Sequence, residues 1–369
     1  MIRGVTLQRL LGAEAFFNTV LIGTFAAVSL QPINDPDLWW HLAAGARILD
    51  GLGIPWTDPF SYVAKGNEWL AYSWLPEVLL SACSRRFGLA SLVLLAAAVN
   101  AATFGLVLST CRLRARHQVA LVATLGAALV ASPGWAVRPH LLSFLCMAIF
   151  SRVLVEDRTR ATGRVWLLVP TMVLWANSHI LFPFGLLLLA FHAATSGRSR
   201  IALLAAVTAA SLLTPYGWHL WRLAVTIGWQ PVALSLVSEF QSPSLHDVGG
   251  AAFTLFFFAT GVALILSPAP KHADDLLAVL VFALLGYAMA RNAPFFAIVA
   301  APVLARHVEA LVPRQPAPYR STPGRVALHA VLLGAGAFAL TVHACKLFVP
   351  GGAVAHNLDR KSTRLNSSH

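Results

Sequence analysis

LASLVLLAAAVNAATFGLVLST, residues 89–110, runs for 22 positions without a charged side chain. About 20 apolar residues cross a ~30 Å hydrocarbon layer as a helix, so this stretch reads as a transmembrane span. Comparable runs lie outward from it near 13–30, 118–132, 141–155, 165–177, 181–195, 201–213, 249–266, 276–290, 294–311 and 326–348. Several are short, and short runs cross by thinning the bilayer or snorkelling their ends. The pattern predicts an all-α, polytopic transmembrane helical bundle of about 10–11 spans. Composition agrees: 57% of the 369 residues are hydrophobic and 11% charged, against roughly 25% charged in a globular domain. Soluble enzymes, coiled coils, collagens and disordered chains are excluded on that ground. The run at 13–30 follows Arg3 and Arg9 but lacks a small-residue cleavage site, so it reads as an uncleaved anchor.

The 27 Lys and Arg outnumber the 15 Asp and Glu, a balance that in a soluble chain would suggest nucleic acid. Their distribution gives a different reading. With the N-terminus in the cytoplasm, sixteen fall in inside segments, eight outside and three in the final residues. This is positive-inside bias; it sets the orientation and calls for no nucleic-acid partner. Asp35, Asp37, Asp50, Asp58, Glu68, Glu77, Glu239 and Asp247 lie outside, and ten of the 11 Trp lie at outer ends, with Trp166 alone at an inner end. A membrane belt decorates both interfaces, so the excess marks the extracytoplasmic face as the working face. Trp39, Trp69 and Trp74 are suited there to stack on a sugar or pack against a polyprenyl chain, or else to anchor interfacial helices among the membrane lipids. Cys83, Cys111, Cys146 and Cys345 form no CxxC pair and read as small core residues.

Residues 31–88 form the longest polar connection, rich in Trp and helically patterned. Connections beyond about 15 residues are usually functional or disordered, and this composition argues for function. Asp35 before Pro36 reads as a helix N-cap, and Asp37 suits the positive end of the helix dipole. Spacing adds chemistry: on a helix from Pro36, Asp37 and His41 are i and i+4 and share a face. A carboxylate and an imidazole so placed can orient an acceptor hydroxyl and take its proton, a step worth about 10²- to 10⁴-fold in rate. Asp35 and Asp37 are alternatively suited to hold a divalent cation, Mg or Mn, through oxygen ligands.

The same topology carries Arg138, His140, Asn177, His179, Tyr216, His219, Glu239, Arg291 and Asn292 to the outer end. Arg138 and Arg291 are candidates for a lipid phosphate, because a planar guanidinium binds two oxygens at once; snorkelling is their structural alternative. Glu239 and His179 are candidate acceptor or sugar contacts, although for Asn177 and His179 bonding to freed backbone at a helix end is the simpler role. No Walker A, dinucleotide fingerprint, HExxH or nucleophile elbow occurs. An enzyme working outside the cytoplasm then needs a donor delivered through the lipid.

DPD at 35–37, His41 and Leu42, Pro55, DPFSY at 58–62, Gly66 and Trp69 together resemble a known pattern. It is that of the first external loop of oligosaccharyltransferase catalytic subunits and related GT-C superfamily glycosyltransferases. The resemblance is specific over residues 34–77 and general elsewhere. WANSH at 175–179, LLTPYG at 212–217 and ARNAPFFA at 290–297 are similar to bacterial members without assigned substrates. The resemblance implies a GT-C-like membrane domain over 1–358 with its first external loop at 31–88. It also implies a catalytic or metal-binding aspartate at Asp35 or Asp37, in the inner (cytoplasmic) membrane. The implied reaction moves a sugar from a polyprenyl-phosphate donor to an extracytoplasmic glycan or glycolipid acceptor.

The chain departs from the pattern in lacking WWDYG, and its second outer loop, SPGWAVRPH at 132–140, holds Arg138 and His140 but no acidic DxE. These departures speak against glycosylation of protein asparagines. They leave open a glycolipid transporter or flippase and a glycolipid-binding protein without turnover. The last residues, DRKSTRLNSSH at 359–369, resemble a translated sequencing adapter and stay outside the fold reading. The natural chain is expected to continue past Leu358.

Overall fold

A computed structural model describes Thr19, Gly23, Leu30, Ile33 and residues 35–160, 163–227 and 237–312. The expected spans at 13–30 and 326–348, Cys345 and the final eleven residues fall outside that set, apart from the isolated residues named. The described residues form α-helices, short helical turns and no β-strand. Helices α1 (Asp37–Arg47) and α2 (Trp74–Phe87) belong to the first long loop. Then follow α3 (Ala90–Cys111), α4 (His117–Ala131), α5 (Leu141–Thr159), α6 (Leu168–Ala176) and α7 (Pro183–Ser196). The series continues with α8 (Arg198–Ala210), α9 (Trp218–Thr226), α10 (Val248–Leu266), α11 (Ala273–Ala288) and α12 (Ala293–Leu311). Each of the nine expected spans within the described residues falls on a helix. Four segments, Ala90–Cys111, His117–Gly134, Val248–Leu266 and Ala290–Leu311, are long and apolar enough to cross a membrane. Gly163–Ala176, Pro183–Ser196 and Arg200–Ala210 are apolar but shorter.

Helix α10 shows the physical basis of the membrane assignment. Phe253, Phe256, Thr260 and Ala263 turn inward, while Leu255, Phe258, Val262 and Ile265 are exposed, the last by 78%. A helix of a soluble domain would carry polar residues on that outward face. An apolar stripe facing out is stable only against hydrocarbon or a partner surface. Val122, Leu125 and Leu129 on α4 and Leu276, Leu280 and Leu284 on α11 repeat the arrangement.

Helix α12 is the central post, buried without interruption from Ala293 to Ala305 and in contact with α3, α4, α5, α10 and α11. Its Ala297, Ala300, Ala301 and Ala305, and Ala120, Ala123, Ala127 and Ala131 on neighbouring α4, are all buried. Small residues let helix backbones approach closely where lipid removes the usual hydrophobic drive between helices. Cys111 and Cys146 are likewise buried, as small core residues.

The alternation of helix direction sorts the ion pairs into two sets. One set joins the end of α3, the start of α4, the ends of α5, α7 and α12, and the starts of α8 and α11. There Arg114 meets Asp275 at 2.9 Å, Arg116 meets Glu309 at 2.9 Å, Arg200 meets Asp157 at 2.6 Å, and Arg158 pairs with Asp274. His192 stands between Asp157 at 3.0 Å and Asp274 at 3.6 Å. Buried ions persist only when paired, and this network pairs them across these helix ends. The second set lies at the opposite helix ends and includes Asp35, Asp37, His41, Arg138, Glu239 and Arg291.

Candidate functional site

The site is built from the start of α1. The Asp35 carboxylate accepts the backbone N–H of Asp37 at 3.0 Å, satisfying a free donor of the first turn. Helix α1 then docks on α2 at Gly45, where an added Cβ would stand 1.9 Å from the Glu77 carbonyl oxygen. Only glycine permits that crossing. One turn earlier on the same face, His41 Nδ1 lies 2.8 Å from Glu77 Oε1, and the Glu77 side chain is 4% exposed. Asp37 and His41 both lie on α1, one turn apart, and the carboxylate hydrogen-bonded to the imidazole is Glu77.

Arg138 enters from the connection between α4 and α5. Its Nη2 lies 2.9 Å from Asp35 Oδ1 and its Nε also donates to Asp35. Nη2 is 3.2 Å from Asp37 Oδ2, and Nη1 is 3.1 Å from Glu239 Oε2. Three carboxylates from two distant parts of the chain thus converge on one guanidinium. Burial pushes the Asp35 carboxyl upward, but the Arg138 hydrogen bond, the Asp37 N–H and the Arg138 charge outweigh it and hold the group below its usual range. Burial likewise works to lower the Arg138 pKa, and the Asp35, Glu239 and Asp37 carboxylates raise it above the ordinary value. Arg138 is thus engaged by carboxylates on each of its nitrogens, unlike Arg291, the other expected phosphate ligand.

Arg291 is the less committed cation. Its Nη1 is 3.9 Å from Glu239 Oε1, and its guanidinium stacks 4.7 Å from the Phe240 ring centroid. It lines a cavity of about 370 Å³ with Glu239, Gln241, Ser244 and His140, within the range of small-molecule sites. The wall at residues 238–247 lies flat on the start of α10, because Gly250 leaves room that a Cβ, 2.0 Å from the Ser244 carbonyl oxygen, would occupy. Asp247 caps α10 by accepting the Gly250 N–H at 2.7 Å.

The remaining expected contacts divide. His179 is buried and bonds Ser143 Oγ at 3.0 Å, and that hydroxyl also accepts the Trp175 indole N–H at 2.8 Å. His179 is thus an interior residue and not an open sugar contact. Asn177 donates to the Val173 and Leu213 carbonyls, both at 2.8 Å, and accepts the Trp74 indole N–H at 2.9 Å. Trp69 packs edge-on against Trp40 and Phe60, at 5.6 and 5.7 Å between ring centroids. Trp69 and Trp74 therefore brace the loop, and Trp39 is half-buried on α1. Tyr216 adds a second brace, donating to the Pro55 carbonyl at 2.7 Å and accepting the Ala71 N–H at 2.8 Å.

Among the described residues no three His, Cys, Asp or Glu side chains gather to share a metal ion. Both Asp35 oxygens face Arg138, as does one of Asp37, so in this structure these oxygens are held by a guanidinium. No family model matches the chain, and no curated protein matches it. Sequence reasoning placed Glu77 outside but gave it no role. Its signal was an acid in the first turn of the otherwise apolar WLPEVLL, a position that gains meaning only once α1 crosses it.

His140 makes the site sensitive to acid. Its ring borders the cavity and is otherwise enclosed; burial, outweighing the Nε2 bond to the Gly134 carbonyl at 2.7 Å, brings its pKa down to about 4. The folded protein keeps this imidazole neutral, whereas the unfolded chain protonates it below about 6.5. Its contribution to stability is full above that value and is lost as pH falls from 6.5 toward 4, by up to about 1.4 kcal/mol per pH unit. His179, also held well below its usual range by burial and then by the Arg291 charge, acts in the same direction. The melting temperature in detergent is expected to fall steadily from pH 7 to pH 5, with a shallower slope for His140→Gln. A flat wild-type profile over that window refutes the assignment of neutral imidazoles at His140 and His179.

Proposed function

We propose that the chain is a GT-C-like glycosyltransferase of the inner membrane, moving a sugar from a polyprenyl-phosphate donor to an extracytoplasmic glycan or glycolipid acceptor. The observation that carries the reading is one juxtaposition. An exposed carboxylate, Asp37, and a loosely paired arginine, Arg291, flank the same Arg138–Glu239 contact, beside a cavity of 370 Å³. The orientation follows from the charge asymmetry of the sequence, with the N-terminus cytoplasmic and this end extracytoplasmic.

Each residue has a separate part in this reading. Arg291 binds the donor phosphate, its charge being opposed by a single carboxylate at 3.9 Å. Asp37 has a 58% exposed side chain and takes the proton of the acceptor hydroxyl. Asp35, with an 8% exposed side chain, is the anchor that fixes Arg138 and, through it, the spacing of Asp37 from Glu239. The cavity beside Arg291 receives the sugar, with Ser244, Gln241 and neutral His140 offering hydrogen bonds to hydroxyls.

The test is transfer by the purified protein reconstituted in vesicles, with a panel of polyprenyl-phosphate hexoses and glycan acceptors. Wild-type protein is expected to transfer. Arg291→Gln is expected to raise the donor KM by about 10- to 100-fold, the worth of a charge-assisted bond of about 1.5–3 kcal/mol. Its kcat should stay near wild type. Donor binding without transfer by the wild type, with or without added Mg or Mn, would overturn the enzyme reading in favour of a glycolipid-binding protein.

A further inference from the structure

Among the described residues Glu77 is a buried carboxylate with a single hydrogen-bond partner. Its Oε1 lies 2.8 Å from His41 Nδ1, while Oε2 is enclosed and meets no hydrogen-bond partner among them. Burying a carboxylate costs several kcal/mol unless its partners compensate, so a group left half-satisfied in the first turn of a helix is not there for stability. Nor is its placement loose. The Glu77 carbonyl meets α1 at Gly45, and the Glu77 N–H is tied to the Ser73 carbonyl at 3.1 Å. The Glu77 backbone is thus fixed on both sides, and the Gly45 crossing lies one turn of α1 from the imidazole that the carboxylate faces.

We propose that Glu77 is a positioning residue that fixes the tautomer of His41. A carboxylate only accepts hydrogen bonds, so His41 must present Nδ1–H to it, and the neutral ring then carries its lone pair on Nε2. Asp37 lies one helical turn before His41 on the same face, so the two side chains are neighbours on α1. This rests on the transferase reading above, in which Asp37 is the first base. In the transfer step the acceptor O–H proton passes to the Asp37 carboxylate and the acceptor oxygen forms the bond to the anomeric carbon. The bond from that carbon to the phosphate oxygen breaks, with its electron pair remaining on the phosphate. His41 Nε2 then takes the proton from Asp37, restoring the carboxylate, and releases it to water. Glu77 stabilises the imidazolium formed on the way, as an orienting carboxylate does wherever histidine moves a proton.

Two readouts separate this proposal from the transferase reading itself. The first needs no activity: ring ¹⁵N shifts of histidine-labelled, full-length protein in lipid nanodiscs, with the His41 signal identified by its loss in His41→Gln. Wild type is expected to show Nδ1 protonated and Nε2 bare. Glu77→Leu should lose that preference, whereas Glu77→Gln, which keeps an acceptor oxygen, should retain it. The second is kinetic: Glu77→Leu is expected to lower kcat about 10²-fold with KM unchanged, and Glu77→Gln to fall between it and wild type. Imidazole added to His41→Gly should restore part of the lost turnover, which a purely structural histidine would not allow. A wild-type His41 with Nε2 protonated, or a Glu77→Leu variant keeping both the wild-type tautomer and kcat, overturns the proposal. If Glu77→Leu does not fold, the tautomer and kcat of Glu77→Gln decide, and a kcat unchanged from wild type refutes the role. If wild type transfers nothing, the transferase reading fails, while the ¹⁵N shifts still decide whether Glu77 sets the His41 tautomer.

Discussion

Replacing Arg138 with glutamine is expected to destabilise the protein by about 3–5 kcal/mol, the usual cost of removing one partner of a buried ion pair. The reason lies in what remains. Asp35, 8% exposed at its side chain, loses both contacts to the guanidinium, and Asp37 and Glu239 are left facing one another's charge. For a chain of this size such a loss corresponds to a fall in melting temperature of the order of 10 °C, measured by thermal unfolding in detergent. Adding Asp35→Asn should recover at least half of that loss, because an amide needs no counter-charge and can still accept the Asp37 N–H. Arg138→Lys should fall between, since an ammonium cannot present a fork to three carboxylates. An Arg138→Gln variant that melts with the wild type would show that the three carboxylates do not depend on this arginine, and the anchor role of Asp35 would go with it.

Asp37→Asn should separate the chemistry from the fold. Its side chain is largely exposed and its one ionic contact among the described residues, to Arg138 at 3.2 Å, is shared with two other carboxylates. Stability should therefore change by less than about 1 kcal/mol, as is usual for exposed ion pairs. Asparagine keeps the size of the side chain but cannot take a proton. Turnover in the reconstituted assay is expected to fall by about 10²- to 10⁴-fold with donor KM unchanged. Asp35→Asn should show the reverse balance, losing stability first, because Asp35 is the buried member bound to Arg138 at two positions. Wild-type turnover in Asp37→Asn would remove this residue from the catalytic assignment.

The two aspartates, one residue apart in DPD, are equivalent to a reader of the sequence. Burial distinguishes them, and burial comes from the α4–α5 connection that folds over the start of α1. Arg138 and Arg291 show the same contrast. Both are arginines at the same end of the bundle, yet one is engaged by three carboxylates and the other faces a cavity. His179 and Trp74 also lie at the expected end, but the Nδ1 of one and the indole N–H of the other are taken up by Ser143 and Asn177. Nothing local to WANSH distinguishes a histidine that lines a cavity from one that braces a helix turn.

Within the described residues, the sequence by itself determined the all-helical class of fold, the helices that carry the nine expected spans and the shared end of the bundle at which the candidate site residues lie. These are local or additive properties: a charge-free run of 22 residues needs no partner to favour lipid, and alternation along the chain places every loop on one side or the other. Tertiary structure alone decided which residues at that end touch. Arg138 and Asp35 are separated by 103 positions and His41 and Glu77 by 36. Their pairing depends on which helices lie side by side. That order is set by steric fit, such as glycine at the α1–α2 crossing and buried alanines on α4 and α12, and no run of neighbouring residues encodes it.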